Sequence, residues 1–290
     1  MSGKVILGLA VGVVAISWGA PLARMTQAEP LAVATWRLTF ATLFLTPWVL
    51  WRHWPLPSGL FRGLWAGLFL GLHFGLWIPS LFLTSVSASV VLVTTQPLWV
   101  LLLQGKVLGR KATGRNVVSF ALAFAGVALI ARGDMQVSLK ALAGDLMALA
   151  GAVAMAGYLL VGTKLRSALP LFPYLWVVNG AGALLLWLAV LGAGVSPWPQ
   201  TPSSWLPLVG MALVPTLVGH TLLNWALAHL PTYQVNLTVL LEPALASFWV
   251  WLILGETPPG HVIPGAVLVV SALVLEYWPA PAAGGARKVC

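Results

Sequence analysis

The chain has 290 residues, of which 60% are hydrophobic and only 7% are charged, and its mean hydropathy is +0.95. Soluble domains carry about 25% charged residues, so this composition excludes one and indicates an integral membrane protein. The formal net charge of +9 would also suit a nucleic-acid-binding protein. In a polytopic membrane protein, however, a basic excess reflects loops that face anionic lipid, and we do not expect nucleic-acid binding.

Apolar runs separated by turn and charge signals predict an all-α protein with ten transmembrane helices. At about 20 to 25 residues per span, little sequence remains for domains outside the membrane. The single cysteine, Cys290, is the last residue, which excludes an intrachain disulfide. The predicted spans are 5–23, 28–51, 60–83, 88–104, 116–131, 142–162, 173–191, 205–228, 233–254 and 262–277.

The basic residues orient these spans. With a cytoplasmic N-terminus, the cytoplasmic segments hold Lys4, Arg52, Arg62, Lys106, Arg110, Lys111, Arg115, Lys164, Arg166, Arg287 and Lys288. The opposite loops hold only Arg24, Arg132 and Lys140, and Arg37 lies within the second span. Because basic loops stay on the cytoplasmic side, we expect a multi-pass protein of the cell membrane with both termini in the cytoplasm.

The first span allows one alternative. Lys4, the apolar run after it, and the small residues Ala20 and Ala23 also fit a secretory signal peptide. Removal of this segment would unbalance the repeat described next, so we favour a retained helix.

The two halves of the chain resemble each other. An offset of 146 aligns Pro97 with Pro243, and an offset of 147 aligns His73 with His220. Five helices in each half make the second copy inverted relative to the first, and inverted repeats place a binding site near the midplane. The predicted units are residues 1–132 for the first repeat, 133–141 for a connecting segment, 142–278 for the second repeat and 279–290 for a cytoplasmic tail.

The second half carries the residues by which the chain resembles a known family. These are Gly219-His220-Thr221-Leu222-Leu223-Asn224-Trp225-Ala226-Leu227, then Leu241-Glu242-Pro243, then Leu254-Gly255-Glu256. With Trp18-Gly19, Arg37, Gln96-Pro97 and Tyr158 they resemble the pattern of EamA-type transporters of the drug/metabolite transporter superfamily, over about residues 5–278. Leu108-Gly109-Arg110 departs from the Leu-Gly-Glu of the second copy. The resemblance implies a 5+5 inverted repeat, a central cavity and movement of small metabolites, often amino acids, usually outward.

Two helical faces supply the main candidate binding residues. His73 and Trp77 lie four residues apart on the third span, and His220 and Asn224 lie four apart on the eighth, so each pair shares a face. Imidazole, indole and amide groups together suit a small zwitterionic or aromatic ligand. A membrane histidine can equally be an interhelical hydrogen-bonding residue, and this alternative stays open.

Gln96 and Glu242 are the other polar residues expected at mid-membrane. Gln96 either contacts substrate or caps the break at Pro97. An ionised Glu242 in the membrane would cost several kcal/mol unless it is paired or faces water. It therefore couples proton movement, binds a substrate amine, or satisfies the backbone carbonyl that Pro243 leaves without a hydrogen-bond donor. We favour the structural role for Glu242.

Three further residues have competing interpretations. Trp18 and Tyr158 are candidates for cavity lining, although close helix packing is favoured for Trp18 beside Gly19. Arg37 is predicted to reach lipid headgroups or to pair with Glu29 rather than to bind an anion. Most tryptophans near span ends are expected to form an interfacial belt.

These patterns predict a secondary transporter that exports amino acids or related small metabolites by alternating access. A runner-up is an importer or exchanger of another solute class such as a sugar nucleotide, which would place more basic residues in the cavity. An enzyme is a distant alternative, because the chain has no HExxH, no CxxC and one mid-membrane acid. The expected partners are a small-molecule substrate, the lipid bilayer and protons, with no cofactor, metal or obligate protein partner.

Overall fold

The computed structural model describes residues 3–132, 138–254 and 260–278, and these residues form helices and loops without a strand. The first helices are α1 (Gly3–Arg24, interrupted after Ile16), α2 (Pro30–Arg52), α3 (Leu60–Leu83), α4 (Val86–Leu108, interrupted after Val93) and α5 (Gly114–Ile130). They are followed by α6 (Leu139–Arg166), α7 (Leu171–Ala193), α8 (Pro202–Ala226), α9 (Thr232–Leu237, Thr238–Leu241 and Glu242–Leu254 in succession) and α10 (Val262–Tyr277).

Seven of these helices, α1 to α4 and α6 to α8, are long and apolar enough to cross a membrane, and α5 and α10 are shorter apolar helices. Local sequence explains where several of them begin. The Ser85 and Ser138 hydroxyls accept hydrogen bonds from the backbone N–H groups of Ala88 and Ala141, and Thr113 forms a reciprocal capping box with Asn116. Each cap satisfies a backbone donor that the first helical turn leaves free.

The helices pack in reciprocal pairs. Helix α3 packs on α6 as α1 packs on α8, and α4 packs on α6 as α9 packs on α1. Helix α2 contacts α8 as α7 contacts α3, while α2 also packs on α7 and α5 on α10. Exchanging each helix with the one five positions along the chain therefore converts each of these contacts into another of them.

Glycines allow two of these crossings to be close. A Cβ on Gly126 of α5 would lie 2.5 Å from the carbonyl oxygen of Gly265 on α10, and one on Gly219 of α8 would lie 3.2 Å from the carbonyl oxygen of Gly12 on α1. Small residues at such crossings let helix backbones approach, which maximises van der Waals contact where lipid supplies no hydrophobic driving force.

Side-chain contacts define two ends of the bundle. At one end, which we call the basic end, Arg115 of α5 donates to the carbonyls of Glu276 and Trp278, and Arg166 of α6 donates to the carbonyl of Leu169. At the opposite end, Trp36 of α2 donates to the carbonyl of Pro197 over 2.6 Å. The loops after α2, α4, α6 and α8 belong to the basic end, which carries most of the loop cations.

The helix bounds differ in places from the predicted spans. Helix α6 has 28 residues and runs past both ends of the predicted span 142–162, since Ser138 caps it and Arg166 is buried at its end. The helix thus begins inside the predicted connecting segment 133–141. Residues 133–137 of that segment with Asp134, the residues Gly255 and Glu256, and the tail 279–290 with its Arg287 and Lys288 lie outside the described residues.

We expect Gly126→Ala to destabilise the bundle, because the new methyl group meets the backbone of Gly265, which cannot move aside without shifting α10. Overpacking of this kind costs about 1–3 kcal/mol. The thermal midpoint of the purified protein in detergent measures the effect. Gly192→Ala in α7 is the matched control, since its methyl group meets no heavy atom within 4 Å. Equal midpoints for the two variants would contradict the close crossing.

Candidate functional site

A small cavity between the two halves of the chain brings together most of the predicted polar residues. Its volume is about 30 Å³, which is room for about one water molecule and too little for a metabolite. We call it the central cavity. Its lining residues are Ile16, Arg37, His73, Phe74, Trp77, Val93, Thr94, Gln96, Met155, His220, Leu223, Val239 and Glu242.

His73 is held in one orientation by the neighbouring helix. Its Nδ1 lies 2.9 Å from the carbonyl oxygen of Gly151 on α6, and its ring stacks on Trp77 with 5.8 Å between centroids. A carbonyl oxygen can only accept, so Nδ1 carries the proton and Nε2 of the neutral ring keeps its lone pair.

His220 lines the same cavity from α8. The Phe74 ring contacts both imidazoles, with 4.8 Å between its centroid and that of His73, and 5.5 Å to that of His220 in an edge-to-face arrangement. His220 ends a π-helical segment, Ala212–His220, which contains Pro215. Irregular turns of this kind occur frequently at functional sites, because they redirect side chains that a regular helix would align elsewhere.

Arg37 corrects one prediction from the sequence. The side chain was expected to reach headgroups or Glu29, but it is 1% exposed and lines the central cavity, whereas Glu29 is exposed. Its Nε donates to the Thr216 hydroxyl over 2.8 Å, and the guanidinium lies 3.9 Å from the Phe74 ring centroid. Arg37 was the one cation predicted to lie well inside a span, away from its ends, which was the signal for a buried role.

Gln96 and Glu242 occupy corresponding positions at two helix interruptions. Helix α4 breaks at Thr94 and Thr95 and resumes at Gln96, while α9 passes from the 3₁₀ segment Thr238–Leu241 into a new helical segment at Glu242. Prolines follow both residues. Each side chain thus sits at the N-terminus of a helical segment, where backbone dipoles favour negative charge, and each lines the central cavity.

Comparison with known proteins shows the family of the chain. The model of the EamA-like transporter family matches residues 3–132 and again residues 142–278. The chain belongs to the EamA-like transporter family. Among solved structures, 29 chains match, and one crystal structure has a TM-score of 0.77 at 18% identity, covering 96% of this chain and 97% of that one. At that identity the likeness concerns the fold alone. No curated protein matches the chain.

Three predicted residues of the transporter lie away from the central cavity. Asn224 is fully buried, and its Nδ2 donates to the Tyr158 hydroxyl over 2.5 Å and to the His220 carbonyl over 2.7 Å. Trp18 packs on Trp249 with 5.0 Å between ring centroids. Asn224 and Tyr158 join α8 to α6 because each finds a polar partner there, which a buried amide requires.

The lining residues retain unused hydrogen-bonding capacity. Within the described residues, Trp77 Nε1 and Arg37 Nη1 are buried without a hydrogen-bond partner, and the side chain of Gln96 makes no hydrogen bond. Buried donors are normally paired, so these groups are available to a ligand. No group of three or more His, Cys, Asp or Glu side chains in the described ranges could hold a metal ion.

A wider cavity of about 570 Å³ opens at the basic end of the transporter. It lies between the ends of α4, α5 and α10 and the turn between α8 and α9, and we call it the vestibule. Its lining residues are Gln104, Arg110, Lys111, Asn116, Leu227, Ala228, His229, Leu230, Pro231, Tyr233, Gln234 and Glu276.

Truncation of Asn224 should lower the stability of the protein much more than truncation of Gln96. Asn224→Ala removes two buried hydrogen bonds and leaves the Tyr158 hydroxyl with less support, so we expect a loss of about 1–3 kcal/mol of stability. Gln96→Ala removes no hydrogen bond among the described residues and should leave the thermal midpoint nearly unchanged. Thermal unfolding of both variants in detergent checks this difference, and a larger loss for Gln96→Ala would contradict the assignment.

Proposed function

We propose that this EamA-like transporter exports small zwitterionic metabolites, amino acids above all, by alternating access. The observation that carries the proposal is the central cavity, where one cation, one carboxyl, two imidazoles and an amide meet beside aromatic rings. Arg37 suits a substrate carboxylate and Glu242 suits an ammonium group, since each charge offers a partner for one pole of a zwitterion. His73, Trp77, Gln96 and His220 are the further substrate contacts.

The architecture proposed for this mechanism is ten transmembrane helices in a 5+5 inverted repeat, with repeats at 1–132 and 142–278. The reciprocal helix pairs support it, because a pseudo-twofold axis relates each contact between two helices to an equivalent contact between their counterparts. Both repeats supply lining residues, His73 and Gln96 from the first and His220 and Glu242 from the second. Rocking one half against the other would therefore expose the same residues to either side.

The orientation follows from the loop charges. We propose that the basic end faces the cytoplasm of a cell membrane, with both termini on that side, because lysine and arginine accumulate in cytoplasmic loops. The vestibule would then be the cytoplasmic approach to the site. In the structure the central cavity is too small for a metabolite, so loading would require the two halves to move apart.

A sugar nucleotide is the less favoured cargo. Its two phosphates call for several cations, whereas Arg37 is the basic residue among those that line the central cavity. The aromatic and imidazole groups that line the rest of the cavity would supply little further positive charge for a multiply charged anion. We retain import or exchange of another solute class as the alternative that transport assays would detect.

His220→Ala should reduce amino-acid counterflow in proteoliposomes by about 10- to 100-fold, the range expected when a ligand loses one hydrogen bond to a charged group. Unlabelled amino acids are preloaded one at a time while uptake of the labelled compound is followed. His261→Ala is the matched control, since His261 stands at the start of α10 and does not line the cavity. Equal loss in both variants would argue against a histidine contact, and no counterflow with any amino acid would point to other metabolites.

Glu242→Gln should separate exchange from coupling. We propose that Glu242 binds the substrate ammonium group and also carries the coupled proton. The glutamine still offers an oxygen to the ammonium group but cannot release a proton, so counterflow should persist with weaker binding while uptake driven by a pH gradient is lost. The same liposomes measured with and without the gradient give both values. If Glu242 is instead structural, the variant should lose thermal stability and exchange together, and gradient-driven uptake should fall no further than exchange.

A further inference from the structure

An arginine ends the first helix of each half of the chain. Arg24 is the last residue of α1, at the end of the bundle opposite the basic end, and Arg166 is the last residue of α6, at the basic end. Neither arginine lines the central cavity. The two side chains thus occupy corresponding positions at the two ends of the bundle, outside the proposed substrate site.

Each arginine binds the end of the third helix of its own half. Nη1 of Arg24 donates to the carbonyl oxygen of Leu81 on α3 over 3.2 Å, and Nε of Arg166 donates to that of Asn224 on α8 over 3.4 Å. Both carbonyls lie within the last four residues of their helix, where the helix itself supplies no N–H donor. We call Arg24 with Leu81 the distal latch and Arg166 with Asn224 the basic latch.

Aromatic rings help to hold both guanidinium groups in place. The Cζ atom of Arg24 lies 5.1 Å from the ring centroid of Phe82 on α3, and that of Arg166 lies 5.8 Å from the ring centroid of Tyr174 on α7. These distances are within the range of a cation–π attraction. Arg166 also donates to the carbonyl of Leu169, just after α6. Each arginine is therefore oriented by more than one contact.

The latches join helices that otherwise meet over short segments. Contacts between α1 and α3 are concentrated in the last segment of α1, Gly19–Arg24, and contacts between α6 and α8 in the last segment of α8, Thr221–Ala226. These segments contain Arg24 and Asn224, which belong to the latches. The ends of these helix pairs are thus held together at the latches.

Two other helix pairs are packed along much of their length. Helix α3 packs on α6, where Nδ1 of His73 binds the carbonyl of Gly151, and α1 packs on α8. The backbone N–H of Gln27, just after α1, also donates to the hydroxyl of Ser204 at the start of α8 over 2.9 Å. The α3–α6 and α1–α8 pairs therefore hold together more firmly than the pairs that the latches join.

The basic latch lies between the two cavities. On α8, Leu223 lines the central cavity and Leu227 lines the vestibule, and Asn224 lies between them in the chain. The Asn224 amide donates to the Tyr158 hydroxyl, so α6 binds this residue through both its backbone and its side chain. A substrate that moved along α8 from the vestibule to the central cavity would therefore meet the basic latch.

We propose that the two latches are the gates of the transporter, and that each opens only while the other stays closed. The central cavity has lining residues from all four helices, Ile16 of α1, His73 of α3, Met155 of α6 and His220 of α8. Separating α1 from α3 at their ends breaks the distal latch, and separating α6 from α8 breaks the basic latch. Both are closed in the structure, in agreement with a cavity too small for a metabolite.

This inference rests on the proposed alternating access and refines its motion. The parts that separate are the α1–α8 pair and the α3–α6 pair, each of which contains one helix from each half of the chain. Because the latches lie at opposite ends of these pairs, a rocking motion that opens one end presses the other end together.

Alkylation of a buried cysteine measures the opening of each end without requiring transport. In a Cys290→Ser background, Ala20→Cys places a thiol on α1 about one turn from the distal latch, on the side of the central cavity. Leu159→Cys places a thiol on α6 about two turns from the basic latch, again on the side of the cavity. Both positions are buried. The rate of reaction of each thiol with N-ethylmaleimide is measured on the purified protein in detergent.

The two arginine variants should give crossed results. Arg24→Gln should raise the rate at Ala20→Cys about two- to tenfold without raising the rate at Leu159→Cys, because losing one hydrogen bond shifts the equilibrium toward opening at that end. Arg166→Gln should do the reverse, with the larger increase, since Arg166 is buried and Arg24 is exposed. Arg52→Gln, which removes an exposed charge from the last turn of α2, is the control and should change neither rate.

Other outcomes would reject the gates. If an arginine variant raises the rates at both thiols, the substitution loosens the whole bundle, and the proposal is wrong. It is also wrong if either arginine variant leaves both rates unchanged, even when the parent protein shows amino-acid counterflow. Crossed rates in a protein that shows no counterflow would support the gates and reject amino acids as the substrate.

Discussion

The absence of water from the bilayer core is the constraint on which the rest of this structure depends, because each polar group there must find a partner inside the protein. Helix α2 illustrates the solution: the hydroxyls of Thr35, Thr39, Thr42 and Thr46 each donate to the carbonyl four residues earlier over 2.8 Å. Two of these threonines also accept from indoles of α7, so the same groups join the helices. Against this pattern, polar atoms left unpaired beside a cavity indicate where a ligand binds.

Two such atoms, Arg37 Nη1 and Trp77 Nε1, belong to residues that line the central cavity. This cavity also combines a carboxyl with a cationic group, which supports the proposed binding of a zwitterion there.

The helix interruptions around the central cavity explain how a tightly packed bundle could open. The π segment before His220, the break before Gln96 and the 3₁₀ segment before Glu242 all adjoin lining residues. A regular helix would resist bending at these points, whereas an interrupted one has already given up part of its hydrogen-bond ladder. The same interruptions direct polar side chains into the cavity, so the same helix breaks support both the binding geometry and the proposed opening of the bundle.

Hydropathy and spacing alone determined much of this protein: its membrane class, its apolar helices, its duplicated EamA-like halves and the candidates His73, Gln96, His220 and Glu242, which do meet in one cavity. These features follow from local composition and from a repeat that the sequence displays directly. Tertiary packing decided the rest. Arg37 turned inward because Thr216 and Phe74 receive it, Asn224 turned to Tyr158, and Glu276 found Asn116 and Gln234 only when α5, α9 and α10 came together. Side-chain direction depends on partners far away in the chain, and no local pattern specifies them.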